Sequence, residues 1–360
     1  MQKAIPFMQF RGGSSKGLFF KAADLPTDEK ERNQTILAAM EGAGIGDPRQ
    51  IDGLGGGDSL TAKAAIVSLS QNEDADLDYF FLQIMIGQGK VSTAQTCGNI
   101  LAAVAPFAIE SGLILAADPT TRVKINLVNT GGLCEVLVNT PGGQVQYAGE
   151  AKVDGVFGTA APIICNYLDT AGATCGQLFP TGNLLDIFDE KEVTCVDNGM
   201  PIVILKASDF GISGNETKAA LDANFSLKQD LERIRLKMGY RMNLGDVTEQ
   251  SIPKMCLISS AQKGGLVSTR MFIPHVCHEA IGVLAAVSVA TACVLPGTVA
   301  EGIASKFPKN TVSFSIEHPT GEFTVHLETG LDENGQFKIE KSGVMRTARL
   351  LSRGEVFLPY

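Results

Sequence analysis

Two stretches decide the fold: CGNILAAVAPFAIESG at residues 97–112 and CHEAIGVLAAVSVATACVLPG at residues 277–297. Each is apolar nearly all the way round a helical wheel, the mark of a helix buried on every face rather than along one stripe. Such a helix needs a wrapping. The surrounding chain supplies one, because 39 glycines sit in short clusters between β-branched runs such as VKINLV (123–128) and IVIL (202–205). That pattern reads as many short strands joined by tight turns, and residues 118–147 read as hairpins. The two apolar helices begin half a chain-length apart. A second echo supports duplication: Lys63 is followed by AAIVSLS and Lys254 by MCLISSA.

The expected architecture is therefore α+β, with two related lobes, each a β-roll around one central apolar helix. Residues 1–185, with 345–360 returning to them, form the first lobe, and residues 186–344 form the second. A chain of 360 residues is too long for one ordinary core and suits two. More amphipathic segments, at residues 24–40 and 227–238, are expected as outer helices.

Composition narrows the function. Apolar residues make up 44% of the chain, charged residues 19%, and the net charge is −9, so nucleic acid is not an expected partner. An acidic protein that takes an acidic small molecule must gather its few cations locally. The opening MQKAIPFMQFRGG has no signal-peptide pattern, and the most apolar window, residues 281–295, is too short to span a membrane. Eight cysteines without a C-x-x-C pair point to reduced thiols in the cytoplasm and away from a structural zinc. Four dispersed histidines give no metal cluster. No cofactor is expected, and a homodimer is the common state for a chain of this kind.

The chemistry gathers in four places. RGGSSKG (11–17) fails the phosphate-loop pattern, because Lys16 precedes Gly rather than Ser or Thr. Arg11, Ser14, Ser15 and Lys16 instead suit a carboxylate. IDGLGGGDSLTAK (51–63) is no dinucleotide fingerprint, and its glycines would let backbone approach a ligand. Lys63 closes that loop at the start of an apolar strand, where desolvation favours the neutral amine a general base needs. Cys97 heads the first apolar helix, at the positive end of its dipole, with Gly98 and Asn99 offering free N–H groups to an anion. Cys277 occupies the matching place in the second half, but His278 and Glu279 follow it, so packing is its expected role. Lys254, Arg270 and His275 either bind carboxylate or form a solvated rim.

In combination, RGGSSKG, DPRQIDGLGGGDSLTAK, TCGNILA, DNGMP, RMNLGDVTEQSIPKMCLIS, FIPH, IEHPTGE and RTARLL resemble the PrpF family along nearly the whole chain. The nearest likeness within it is to isomerases of 4-oxalomesaconate, with 2-methylaconitate cis-trans isomerases more distant. The resemblance implies a diaminopimelate epimerase-like fold with the active site between two pseudo-symmetric lobes. It also implies a catalytic Lys and Cys, here Lys63 and Cys97, and carboxylate binding by the Ser14-Ser15 turn and the backbone after Cys97. Members usually carry Thr where this chain has Ser14, a change that keeps the hydroxyl. The implied activity is a cofactor-free shift of a proton and a double bond in an unsaturated tricarboxylate. A racemase using Cys97 and Cys277 as opposed bases and a non-catalytic binder of aconitate-like acids remain open at this level.

Overall fold

A computed structural model describes residues 2–359 except 95, 309, 310, 334 and 336. The chain divides into two compact units, one of residues 1–167 with 345–360 and the other of residues 168–344. The boundary falls earlier than the expected 185/186, because residues 170–175 are tied to the second unit. Thr170 donates to Asn198, and the Asp197 carboxylate accepts the backbone N–H groups of Thr174 and Cys175.

In chain order the first unit holds strands β1 (Lys3–Gly12) and β2 (Ser15–Lys21), helix α1 (Glu29–Glu41), and strands β3 (Lys63–Leu69), β4 (Leu77–Met85) and β5 (Lys90–Ser92). Helices α2 (Gly98–Leu101) and α3 (Val104–Glu110) and strands β6 (Thr120–Leu127), β7 (Gly132–Asn139) and β8 (Ile163–Tyr167) follow. The second unit holds β9 (Asp186–Phe188), β10 (Lys191–Asp197), β11 (Pro201–Lys206), α4 (Lys218–Asp222), α5 (Phe225–Arg241), β12 (Lys254–Ser259) and β13 (Val267–Phe272). Helix α6 (Val283–Val294) and strands β14 (Ser313–His318), β15 (Gly321–Leu331) and β16 (Phe337–Arg346) complete it, and β17 (Ala348–Leu358) returns to the first unit.

Strand pairing makes the repeat explicit. In the first unit β1 pairs antiparallel with β2, β2 parallel with β3, β3 antiparallel with β4, and β4 parallel with β6. In the second, β10, β11, β12, β13 and β14 repeat that order and those directions. Each parallel step crosses over through an outer helix, α1 in one unit and α5 in the other. Each unit then threads its apolar helix between the next parallel pair. The echo between Lys63 and Lys254 holds in register too: Lys63 pairs with Gly17 and Lys254 with Ile202, at corresponding points of the parallel step.

The side chains of the first sheet sort by parity. Phe10 and Phe19 stack on Phe107 of α3 at ring-centroid distances of 6.4 and 5.6 Å, so their face is the inner one. Leu18, Phe20, Ala64, Ile66, Leu82 and Ile84 alternate with the inward residues and pack with Ile36, Leu37 and Met40 of α1, on the outer face.

Two expectations about the central helices need correction. The first is not continuous but breaks at Ala102–Ala103 into α2 and α3. Pro106 is the cause, because it has no N–H for the carbonyl of Ala102 and its ring crowds that carbonyl. The second starts at Val283 with Gly282 as its N-cap, so Cys277 does not head it. Cys277 instead forms an isolated bridge with Phe272.

Candidate active site

Lys63 is the first residue of β3, only 7% exposed, and points to the inner face. Its Nζ lies 5.4 Å from the centre of the Phe81 ring and donates to Gln83 Oε1 at 2.5 Å. The amide nitrogen of Gln83 is itself fixed, donating to the carbonyls of Ala62 at 2.9 Å and of Ser59 and Ile84 at 3.3 Å each. Gln83 is thus a rigid acceptor that aims the amine. Replacing Gln83 with Leu removes that aim while keeping the volume. We expect kcat to fall about 100-fold, as for a misplaced catalytic group, with KM changed less than threefold in steady-state kinetics.

Cys97 is half-buried and caps α2; its carbonyl accepts from Leu101 N and, at 3.2 Å, from the hydroxyl of the fully buried Tyr79. Tyr79, Phe81 and Gln83 alternate along β4, so Lys63 and Cys97 are each anchored to the inner face of the same strand. The N–H groups of the first turn of α2 have no partner within the helix.

The turn between β1 and β2 closes against this helix. Asn99 Nδ2 donates to Ser14 Oγ at 3.1 Å. A Cβ on Gly12 would overlap the Asn99 carbonyl oxygen, and one on Gly13 would overlap the Asn99 side chain. Both glycines are therefore needed for contact, and Gly13 also adopts φ +51°. Ser15 is 2% exposed, inward like Gly17, and its hydroxyl finds no hydrogen-bond partner among the described residues. A buried hydroxyl left so is costly unless a ligand or water satisfies it.

The other expected binding residues each have surroundings of their own. Arg11 and Lys16 have outward parity. Arg11 donates to the carbonyl of Gly13 and to the carbonyl and hydroxyl of Thr347, bracing the turn from the far side. Arg270 is 6% exposed, and its guanidinium donates to the carbonyls of Glu216 and Thr269; burial lowers its pKa. His275 is exposed and lies 3.6 Å from Glu232 of the outer helix α5. Lys254 is half-buried at the start of β12, and burial lowers its pKa. The glycine-rich loop departs from expectation as well. A Cβ on Gly53 would overlap the Met40 backbone, and Gly55 N donates to the Met40 carbonyl, so these glycines press the loop on the end of α1.

Cys277 is fully buried in the core of the second unit, its N–H donating to Asp222 at 2.7 Å. Burial, and then the Asp222 charge, push its thiol up to about 11, which suits packing and not a base. Where the first unit has its Gly-Gly-Ser-Ser turn, the second has Asn198, whose side chain is consumed by Thr170, Thr291 and Ser342. At this turn the first unit keeps the Ser15 hydroxyl open, whereas the second has a side chain that is fully engaged.

Sequence reasoning missed Gln83, Tyr79 and Arg346. The first two stand at inward positions of LDYFFLQIM, where a polar residue on an otherwise apolar face is a signal. Arg346 is 5% exposed and close enough to Tyr167, Cys165 and Cys97 for their charges to act on it; burial holds its pKa down to about 10. It is the inward cation that Arg11 and Lys16 are not. Among the described residues no three His, Cys, Asp or Glu side chains gather to hold a metal ion, and no helix is long and apolar enough to cross a membrane.

The sequence model of the family described as PrpF protein matches residues 2–359. The chain belongs to the PrpF family. This PrpF protein is 50% identical to the 4-oxalomesaconate tautomerase of Pseudomonas putida, over 99% of its own length and 96% of that protein. It is 51% identical to the (4E)-oxalomesaconate Delta-isomerase of a Novosphingobium strain, over 99% and 98%. The crystal structure of a methylitaconate-delta-isomerase superposes with a TM-score of 0.88 at 32% identity, covering 99% of this chain and 96% of that one. A hydroxyproline epimerase, at 12% identity, covers 99% and 94% with a TM-score of 0.50 and places the PrpF protein in the epimerase-like fold. The PrpF protein is accordingly an isomerase.

Proposed function

We propose that this PrpF protein moves a proton and a double bond within 4-oxalomesaconate or a closely similar unsaturated tricarboxylate. One observation carries the reading. A buried, hydrogen-bonded lysine amine and a half-buried thiol belong to the same inner face of one unit, with N–H groups that have no partner within α2 and a buried hydroxyl without a hydrogen-bond partner among the described residues. The substrate class comes from the names of the two relatives at about half identity.

The carbon between a carbonyl and a double bond is the acidic one, because its anion is delocalised over both. Lys63 takes the proton from that carbon. The electron pair spreads to an oxygen that the N–H groups of Gly98 and Asn99 stabilise, with Arg346 adding positive charge nearby. Cys97 returns a proton at a different atom of the delocalised system. Lys63 is then left protonated and Cys97 deprotonated, and exchange with solvent restores both. Ser15 and the Ser14–Asn99 pair bind a carboxylate. Eight unpaired cysteines suit a reducing, cytoplasmic setting.

The test is to incubate the protein with 4-oxalomesaconate in deuterated water. Ultraviolet absorbance should report the moving conjugation, and the product should carry solvent deuterium. In a Cys97→Ala variant, exchange of the substrate's acidic proton should persist while isomerisation falls at least about 100-fold. A wild-type protein that binds the acid without changing its spectrum or exchanging its proton would refute the proposal.

A further inference from the structure

On the outer face of the first unit, Lys16 of β2, Arg11 of β1 and Arg349 of β17 stand directly opposite one another across three antiparallel strands. Directly paired residues point to the same side of a sheet with Cβ atoms roughly 5 Å apart, and like charges so placed repel. In a chain of net charge −9, a row of three cations is an unusual concentration of one sign. Among the described residues none of the three makes an ion pair. Arg11 is committed to carbonyls and a hydroxyl, and the Arg349 charge acts on it unfavourably.

A second observation joins the first. A cavity of about 390 Å³ opens over the same place, with Arg11 and Arg349 on one side and the segment at 147–160 on the other. Its remaining wall is largely apolar, including Val153, Val156 and Leu351. Glu150 and Asp154, the acids of that segment, do not line it. The glycine at 155 approaches the turn itself, since a Cβ there would lie 3.6 Å from Ser14 Cβ. Size, concavity and cation-with-apolar lining are those of a small-molecule site. The parity of the strands puts this cavity on the opposite side of β1 from Asn99 and Cys97.

We propose that the Arg11–Arg349 cavity is a second anion site, distinct from the candidate active site, which takes a small, multiply charged oxyanion. Arg349, exposed and unpaired, is the recruiting charge, and Arg11 couples the bound anion to the turn it braces. Occupancy would relieve the repulsion along the row and firm the turn that carries Ser14 and Ser15, so the ligand regulates rather than reacts. Two sources share this chemistry, a polycarboxylate like the substrate and inorganic phosphate.

Isothermal titration at low ionic strength separates them, with tricarballylate (a saturated tricarboxylate that cannot isomerise) in one arm and inorganic phosphate in the other. Arg349→Gln is the variant, because its side chain is exposed and lies outside the machinery for turnover. In at least one arm the wild-type protein should show a site whose affinity drops tenfold or more in Arg349→Gln. Turnover of the variant without added anion should match wild type. Unchanged binding in the variant in both arms, or no binding beyond what Lys63→Met abolishes, overturns the proposal. Circular dichroism of the variant keeps a folding defect from imitating the loss.

Discussion

Lys63→Met should abolish isomerisation while leaving the fold intact. Methionine keeps the unbranched stem against Phe81 but has no amine, so the inner face stays filled and Gln83 loses its partner. Positioned acid–base groups contribute about 10² to 10⁴-fold, and here the amine is the only base proposed, so a loss of at least about 10³-fold in kcat is expected. Both readouts fail together if Lys63 is the base: the ultraviolet change and the uptake of solvent deuterium. Deuterium uptake at the wild-type rate would move the base elsewhere. The melting temperature should change little, since one hydrogen bond of a partly satisfied amide is lost.

Gly12→Ala should be nearly as damaging through geometry alone. Gly12 has an ordinary backbone conformation, so alanine costs nothing in φ. Its methyl group, however, would occupy the place of the Asn99 carbonyl oxygen and crowd the backbone of Ile100. Backbone cannot swing aside as a flexible side chain can, so the head of α2 must move with Cys97, Gly98 and Asn99. Overpacking of this kind costs about 1–3 kcal/mol, and a displacement near 1 Å at a reacting centre costs about 100-fold in rate. Both a lower melting temperature and a fall in kcat are expected. A control at Gly112, where a Cβ would meet nothing within 4 Å but φ is +72°, should lose stability without losing kcat in the same proportion. Normal activity in Gly12→Ala would mean that the turn and the helix head do not need their present contact.

How much of this was legible beforehand varies by residue. Lys63 and Cys97 could be singled out because each ends a distinctive local pattern, a glycine-rich loop running into an apolar strand and a polar tripeptide opening an apolar helix. Their partners could not. Gln83 lies 20 residues beyond Lys63, and nothing local marks it as the acceptor until β3 and β4 are in register. Arg11 and Lys16 show how far adjacency in the chain can be from adjacency in space. They stand next to Ser14 and Ser15 in the chain, but strand alternation sends Arg11 and Lys16 to the face opposite Ser15.

The sequence by itself determined the elements and their duplication. Helices apolar on all sides, β-branched runs and turn glycines are local signals, and they repeat at half the chain length because the architecture repeats. Tertiary structure alone decided which partners each half's turn finds. That choice rests on side chains meeting across long stretches of chain: Asn99 reaches Ser14 in the first unit, whereas Asn198 is saturated by Thr170, Thr291 and Ser342 in the second. A hydrogen bond depends on distance and direction in space, and neither is written in the spacing of residues along the chain.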